Sequence, residues 1–269
     1  MKSNKNNFHQ TVSEYYDKDA ELGFEARAME NPLLEKIRND FRKLTIKYPF
    51  SSVLEIGCGP GFDVEWFASS YPEKSITGID ISAKMVEQAK LRIKASKLNN
   101  ATAIQLDERA MLQYFGKQKF DLVYVYFGAL NTVDNLGFAA EQIYELLKPG
   151  GHAVLTFVNK WYLREMLVQS LKLKPNIAFS RLRKVWGGYS PNRFLPSKCY
   201  SSGYIKNAFR NFKILERKGY SITFPAWYNF KKYLKLEEKT DKLWNTDQKL
   251  QKSFLWSKGE YLLFVFKKD

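Results

Sequence analysis

The stretch Val53–Gly61, VLEIGCGPG, decides the fold. Val53, Leu54 and Ile56 read as a buried strand. Glycines at 57, 59 and 61 then form a turn that a ligand can approach with no Cβ in the way. Past the turn, Val64, Phe67, Ala68 and Tyr71 recur at helical spacing. A helix is therefore expected over Phe62–Tyr71, laid on a sheet. Strand, glycine turn and helix in this order form a nucleotide-binding device. The alternative is a glycine-rich turn that holds nothing.

The spacing is G-x-G-x-G, and Phe62 stands where G-x-G-x-x-G has its third glycine. That glycine lets a pyrophosphate sit close to the helix N-terminus, so this turn fits pyrophosphate poorly. The strand also brings Glu55 into the turn. Its carboxylate repels phosphate and suits a cationic amino-acid group. Here the chain resembles the class I S-adenosylmethionine-dependent methyltransferases, whose first motif has the form (V/L)(L)(D/E)xGxGxG. The likeness covers residues 48–158, and the last two strands in outline. It implies an α/β, Rossmann-like, doubly wound seven-stranded sheet with the last strand antiparallel. It also implies N-terminal lid helices, C-terminal insertions over the pocket, and S-adenosyl-L-methionine as cofactor. Glu55, Gly57, Cys58, Gly59 and Gly61 would form the cofactor loop.

The second strand, Ser75–Asp80, ends in an acid nineteen residues past Gly61. An acid at that distance accepts hydrogen bonds from the two ribose hydroxyls. Asp80 matches the family's acidic second motif. Ile81 would cover one face of the adenine. Ser82 caps a helix over Ala83–Lys97 that buries Val86, Ala89 and Ile93. Met85 either packs near the adenine or belongs to the core. A third strand, Ala101–Leu106, leads to Asp107 and Glu108. The resemblance implies an acceptor for the adenine amino group here. Asp107 is the candidate, and Glu108 follows at the family's looser second position. Arg109 departs from the small apolar residue usual next.

Phe120–Phe127, FDLVYVYF, is apolar almost throughout, as a central strand buried on both faces must be. In a doubly wound sheet the ligand lies beyond the carboxyl ends of the strands. The backbone at Phe127 should then border the methionine part, and the loop 127–134 should sit beside the methyl group. Asn131 either faces the substrate or turns its own loop. The loop lacks the Asn/Asp-Pro-Pro-Tyr/Phe tetrapeptide of amino methyltransferases. It resembles the branch of the family linked to small molecules. A helix over Leu136–Lys148, the turn Pro149–Gly151 and a strand over His152–Val158 follow. His152 is read as structural, at the far end of the sheet.

Before the first strand two helices are expected, joined around Gly23–Asn31, with Asn31 as N-cap and Pro32 behind it. Tyr15 and Tyr16 lie on this lid. They contact cofactor or substrate, or they pack the lid onto the core. Residues 1–7 read as a frayed tail, and His9 either reaches the methyl-facing loop from the lid or is an exposed residue of that tail. Past residue 158, Lys213–Phe224 and Tyr261–Lys267 fit the last two strands. The stretches 159–212 and 225–258 become a roof. The expected organisation is a lid over 1–47, a cofactor core over 48–158 and a roof with two strands over 159–269.

The chain has 269 residues and a formal charge of +15. The last 119 residues hold 24 Lys/Arg against 8 Asp/Glu, so the excess lies in the roof. Such asymmetry points to an anionic partner: nucleic acid, a membrane surface or an acidic carrier. A merely solvated lysine-rich surface is the alternative. No apolar run reaches membrane-spanning length, no secretory leader is visible, and the cytoplasm is the expected location. Two cysteines and two histidines offer no disulfide framework and no histidine-rich metal centre. No metal is expected, and no catalytic base can be named. The expected function is methyl transfer to a small or lipid-like molecule, amphipathic or acidic. Methylation of RNA or an acidic carrier protein is the alternative, as is cofactor binding without catalysis.

Overall fold

The computed structural model describes residues 3–190 and 192–269. Three helices come first: α1 (Ser3–Glu21), α2 (Phe24–Met29) and α3 (Pro32–Thr45). The alternating core follows: β1 (Ser52–Ile56), α4 (Phe62–Ser70), β2 (Ser75–Asp80), α5 (Ala83–Ala95) and β3 (Ala101–Gln105). Then come α6 (Met111–Phe115), β4 (Phe120–Val125), α7 (Leu136–Leu146) and β5 (Leu147–Val158). The C-terminal part holds α8 (Leu163–Leu171), α9 (Pro175–Ala178), α10 (Ser202–Ala208), β6 (Lys213–Tyr220), α11 (Glu237–Leu250) and β7 (Tyr261–Lys267).

The seven strands form one sheet in the order β3-β2-β1-β4-β5-β7-β6, with β7 antiparallel to both neighbours. From β1 the chain winds outward through β2 and β3, then returns to β4 on the other side. The strand order thus reverses between β1 and β4, which opens a crevice at their carboxyl ends. One face buries Ile37 and Phe41 of α3, Val64 and Phe67 of α4, and Val86, Ala89 and Ile93 of α5. The other buries Leu136, Ala139, Ile143 and Leu146 of α7, with Ile205 of α10. The caps follow the residues: Asn31 accepts from Leu34 N–H at 3.0 Å and Ser82 from Met85 N–H at 3.1 Å.

Several features differ from the sequence expectation: a third helix, α2, forms where only a joint was expected over Gly23–Asn31, β4 and α7 end two residues early, and three further boundaries move. The frayed tail expected over residues 1–7 is helical from Ser3, and residues 1 and 2 lie outside the described residues. β5 starts at Leu147, so the expected turn at 149–151 lies inside the strand. Gly150 N–H donates to Lys268 O at 2.9 Å and Lys268 N–H to Gly151 O at 2.9 Å, extending the pairing. β6 ends at Tyr220, four residues early. The Asp247 carboxylate of α11 accepts from the N–H groups of Ile222, Thr223 and Phe224, which removes them from any ladder. No helix among the described residues is long and apolar enough to cross a membrane.

Candidate functional site

The turn after β1 is built on glycines, two of which leave no room for a side chain. Gly57 has φ +75°, and a Cβ there would lie 2.3 Å from Ala129 Cβ. Gly61 has φ +82°, with Ala89 Cβ 2.9 Å from where its own Cβ would be. The N–H groups of the turn are engaged inside the chain. Those of Gly57 and Cys58 donate to Ile79 O at 2.8 and 2.9 Å, and that of Gly61 to Cys58 O at 3.0 Å. Gly59 N–H donates to Asp80 Oδ2 at 2.9 Å. The turn therefore presents few donors to a phosphate, in keeping with its poor fit to pyrophosphate. A Cβ at Gly59 would meet nothing within 4 Å. That open space belongs to a cavity of about 390 Å³ at the carboxyl ends of β1, β2 and β4.

Nearly all the residues singled out from sequence meet at this cavity. Glu55, Gly57, Cys58 and Gly59 form its floor. Asp80, Ile81 and Met85 line one side, Glu108 and Phe127 others, and Tyr15 and Tyr16 of α1 the lid. Gly61, Asp107 and Asn131 are not on its wall. The lid is pinned over the β2–α5 turn. Ser13 Oγ donates to Ile81 O at 3.1 Å, and the Asp17 carboxylate accepts from Ser82 Oγ at 2.6 Å.

Asp80 is buried, with each carboxylate oxygen accepting one N–H at 2.9 Å, from Ser82 and from Gly59. Each oxygen keeps a second lone pair for a ligand hydroxyl. Burial lifts its carboxyl to about 6, against the pull of those two N–H groups. Two trends of opposite sign follow. The ionised form is the better acceptor, so affinity for S-adenosylhomocysteine should rise as pH climbs through 6 and level off above 7, read by calorimetry. The folded value lies above the unfolded one, so Asp80's contribution to ligand-free stability is present at low pH and lost as pH rises through 6.

Glu55 is buried and accepts from the Tyr124 hydroxyl at 3.0 Å. Burial and the neighbouring Asp63 carboxylate push its carboxyl well above the usual range, with Arg38 and Arg42 opposing them. Asp63 is clasped by Arg38 and by Arg42 Nε, the latter at 2.7 Å. Cys58 is a buried free thiol, raised by burial, and the sulfur packs beside Gly78.

The acids after β3 divide. Asp107 is engaged by Arg109, whose Nε lies 2.9 and 3.0 Å from its two oxygens, and it stays off the cavity wall. Burial works against Asp107, yet Arg109 holds its carboxyl below the ordinary value. Glu108 faces the cavity instead, lifted to about 8 by burial and by Asp107. His9 corrects an expectation: it is not an exposed residue near a tail but only 3% exposed. The helix runs through residues 3–7 and lays its imidazole against these acids. Its Nδ1 lies 3.3 Å from Asp107, and its Nε2 lies 3.7 Å from Asp134. Burial lowers its basicity. His9, Glu108 and Asp134 bring donor atoms within 4.8 Å of one another, a mixed set that could hold a divalent cation.

Asn131 does not face the cavity as expected for a substrate-facing residue. Its Nδ2 donates to Val158 O at 3.1 Å and Lys198 O at 2.6 Å, and its Oδ1 accepts from Val158 N–H at 2.8 Å. The amide staples the loop after β4 to the end of β5 and to the roof. Asn131→Ala should therefore cost about 2–4 kcal/mol of stability by orphaning buried backbone groups. A thermal melt reads it, and cofactor affinity should stay within about twofold.

The cavity also has walls that the sequence did not reveal. Arg38 reaches it from α3, its guanidinium 4.8 Å from the Phe127 ring centre. Arg193 stacks at 4.4 Å on Tyr15 and pairs with Asp19, which Arg27 also binds at 2.9 Å. Tyr189, Trp227, Tyr228 and Tyr261 close the roof end. Behind them Glu260 accepts from the Tyr189 hydroxyl at 2.8 Å, its carboxyl raised to about 7 by burial. The one signal in the sequence was the aromatic richness of the roof.

Residues 54–153 match a family model described as a methyltransferase domain. Over 126 residues the chain is 33% identical to a demethylmenaquinone methyltransferase of Leptospira interrogans, covering 46% of this chain and 47% of that protein. Over 160 residues it is 24% identical to a malonyl-[acyl-carrier protein] O-methyltransferase of Priestia megaterium, covering 59% and 52%. The chain thus spans about half the length of these relatives. Its fold resembles that of a putative S-adenosylmethionine-dependent methyltransferase from Listeria monocytogenes, with TM-score 0.61, 15% identity and coverage of 86% and 96%. The site fits the cofactor of such proteins. Asp80 keeps free lone pairs for a ligand hydroxyl, Gly59 leaves room where a side chain would intrude, and Glu55 sets a carboxyl in the cavity floor. Matched model, strand order and glycine turn together make residues 54–153 a methyltransferase domain, on a chain whose fold resembles that of S-adenosylmethionine-dependent methyltransferases.

Proposed function

We propose that this chain methylates a small or lipid-like molecule, with S-adenosyl-L-methionine as donor. The cavity carries the reading: it runs from Asp80 and Glu108 past Phe127 to the aromatic and arginine wall of Tyr15, Arg193, Trp227 and Tyr228. Asp80 would hold the ribose hydroxyls, Glu108 the adenine amino group, and Glu55 the ammonium of the methionine part. Ile81 and Met85 would pack on the adenine. Asp107 would act behind Glu108, by fixing Arg109. The bound cofactor supplies an electrophilic methyl group, displaced in line by a nucleophile on the acceptor. The chain's own part is to align the two and exclude water beneath the α1 lid. An acceptor with an aromatic or polyunsaturated body suits the ring-lined end. An acidic substituent suits Arg193 and Arg27, which share the single carboxylate of Asp19.

Relatives named for demethylmenaquinone and for a malonyl carrier protein support small-molecule and carrier-bound acceptors respectively. The test uses purified protein and methyl-labelled cofactor with host lysate split into lipid, small-molecule, protein and RNA fractions. Label in the lipid or small-molecule fraction supports the reading. Label in an acidic carrier or in RNA overturns it for a macromolecular acceptor. No label despite cofactor binding favours binding without catalysis.

A further inference from the structure

The hairpin of α8 and α9 departs from the packing of the rest of the chain. An amphipathic helix normally turns its apolar stripe inward. α8 carries Leu163, Met166, Leu167, Val168 and Leu171, yet none of its nine residues is buried. Leu163, Leu167 and Leu171 fall four residues apart, on one line along the helix, and all three are exposed. Exposure rises toward the tip, from 64% at Leu167 to 85% at Leu171 and 88% at Leu173. Every residue over 171–177, LKLKPNI, is exposed, and Phe179 follows at 48%. Single exposed leucines are ordinary on soluble proteins, but a contiguous group marks a contact surface.

The charge around the group says what the contact is. Lys172 and Lys174 alternate with the tip leucines, and Arg183 and Lys184 are exposed nearby in the chain. The single acid between residues 160 and 184 is Glu165. It is neutralised by Arg181 Nε at 2.7 Å and also accepts from the Tyr228 hydroxyl at 2.9 Å. The hairpin therefore presents apolar side chains and positive charge together, with no free carboxylate. The core of a protein interface is depleted in lysine. At a lipid surface, by contrast, leucines enter the acyl boundary while lysine stems lie along it and lift their ammonium groups to the phosphates. RNA would take the lysines and leave the leucines in water. The helix is too short to span: nine residues rise about 14 Å against a hydrocarbon core of about 30 Å.

We propose that the α8–α9 hairpin docks this protein on an anionic lipid surface, with Leu167, Leu171 and Leu173 inserted and Lys172 and Lys174 at the headgroups. The surface lies next to the cavity's roof. Glu165 of α8 holds Tyr228, which lines the cavity. Docking would bring the ring-lined end of the cavity beside the membrane boundary, where a lipid-like acceptor resides. The docking itself stands on the hairpin and does not need that acceptor.

The test is sedimentation of the full chain with vesicles of phosphatidylcholine alone, or mixed with phosphatidylglycerol, at low and high salt. The expected result is binding to the mixed vesicles at low salt, weakened by about tenfold or more at high salt. Leu171→Glu with Leu173→Glu, at positions that touch little, should leave the thermal melt unchanged and reduce binding by about tenfold or more. Lys172→Gln with Lys174→Gln should abolish the preference for the anionic vesicles. Failure to sediment with mixed vesicles overturns the proposal, as does equal binding of the leucine variant. A homodimer that the leucine variant dissolves, without vesicle binding, would assign the face to a second copy. Salt-sensitive RNA binding without vesicle binding would assign the lysines to nucleic acid. Either overturns the lipid assignment. None of these readouts requires methyl transfer, so a failed activity screen and a failed docking test remain separate results.

Discussion

Asp80→Ala is expected to weaken S-adenosylhomocysteine binding by about a hundredfold or more. A hydrogen bond to a charged group contributes about 1.5–3 kcal/mol, and two ribose hydroxyls would share this carboxylate. The substitution also removes the acceptor of Gly59 N–H and Ser82 N–H, both at 2.9 Å, so the glycine turn loses one of its ties to β2. Isothermal calorimetry on wild type and variant gives the ratio, with a thermal melt to show that the variant is folded. Asp80→Asn separates the two effects. It keeps the shape but turns an amide N–H₂ toward one backbone donor or one hydroxyl, and it removes the titration near pH 6. Its affinity should lie between wild type and Asp80→Ala and should be flat with pH. Wild-type affinity in Asp80→Ala would overturn the placing of the ribose at β2.

The second large effect is on stability. Asp63→Ala should cost roughly 3–5 kcal/mol and lower the melting temperature by about 10 °C. Asp63 is nearly fully buried and is the common partner of Arg38 and Arg42, themselves only 14% and 13% exposed. Removing it leaves two guanidiniums of α3 facing the start of α4 with only ring faces, the Phe62 carbonyl and the nearby Glu55 to meet. Burial and Asp63 itself push that carboxyl well above the usual range. With Asp63 gone it would ionise and partly replace the lost charge. The double variant Asp63→Ala, Glu55→Gln should therefore lose more than the two singles summed, by about 1 kcal/mol or more. A thermal or urea melt reads all four proteins. A loss under about 1 kcal/mol in Asp63→Ala would show that the arginines find solvent instead.

Some of this protein was legible in the chain and some was not, and the division follows the range of the forces involved. Local chemistry was legible. The glycines of 57–61, the caps Asn31 and Ser82, the apolar run of β4 and the acid at the end of β2 each depend on neighbours a few residues away. Turn geometry and periodicity therefore disclosed the core strands and helices, and the resemblance to methyltransferases implied the sheet, the crevice and most of the cavity floor. Boundaries shifted where a distant group intervened. β6 ends early because a carboxylate on α11 takes its N–H groups, and β5 starts early because the C-terminal chain pairs with Gly150 and Gly151.

Long-range partnership decided the rest. Asn131 was polar and well placed in sequence, but its amide meets backbone groups of β5 and the roof, so it became a staple. His9 looked peripheral, and only the docking of α1 on the loop after β3 buries it among three carboxylates. Asp107 and Glu108 are adjacent in the chain, yet Arg109 claims one and leaves the other to the cavity. Arg38, Arg193 and the ring wall come from segments brought together by packing alone. By itself the sequence determined the core strands, the glycine turn and the acid at the end of β2, because those rest on backbone conformation and local spacing. Only the tertiary structure decided which polar side chains face the cavity and which apolar ones face water. Hydrogen-bond partners and burial are set by segments that meet in space and not along the chain.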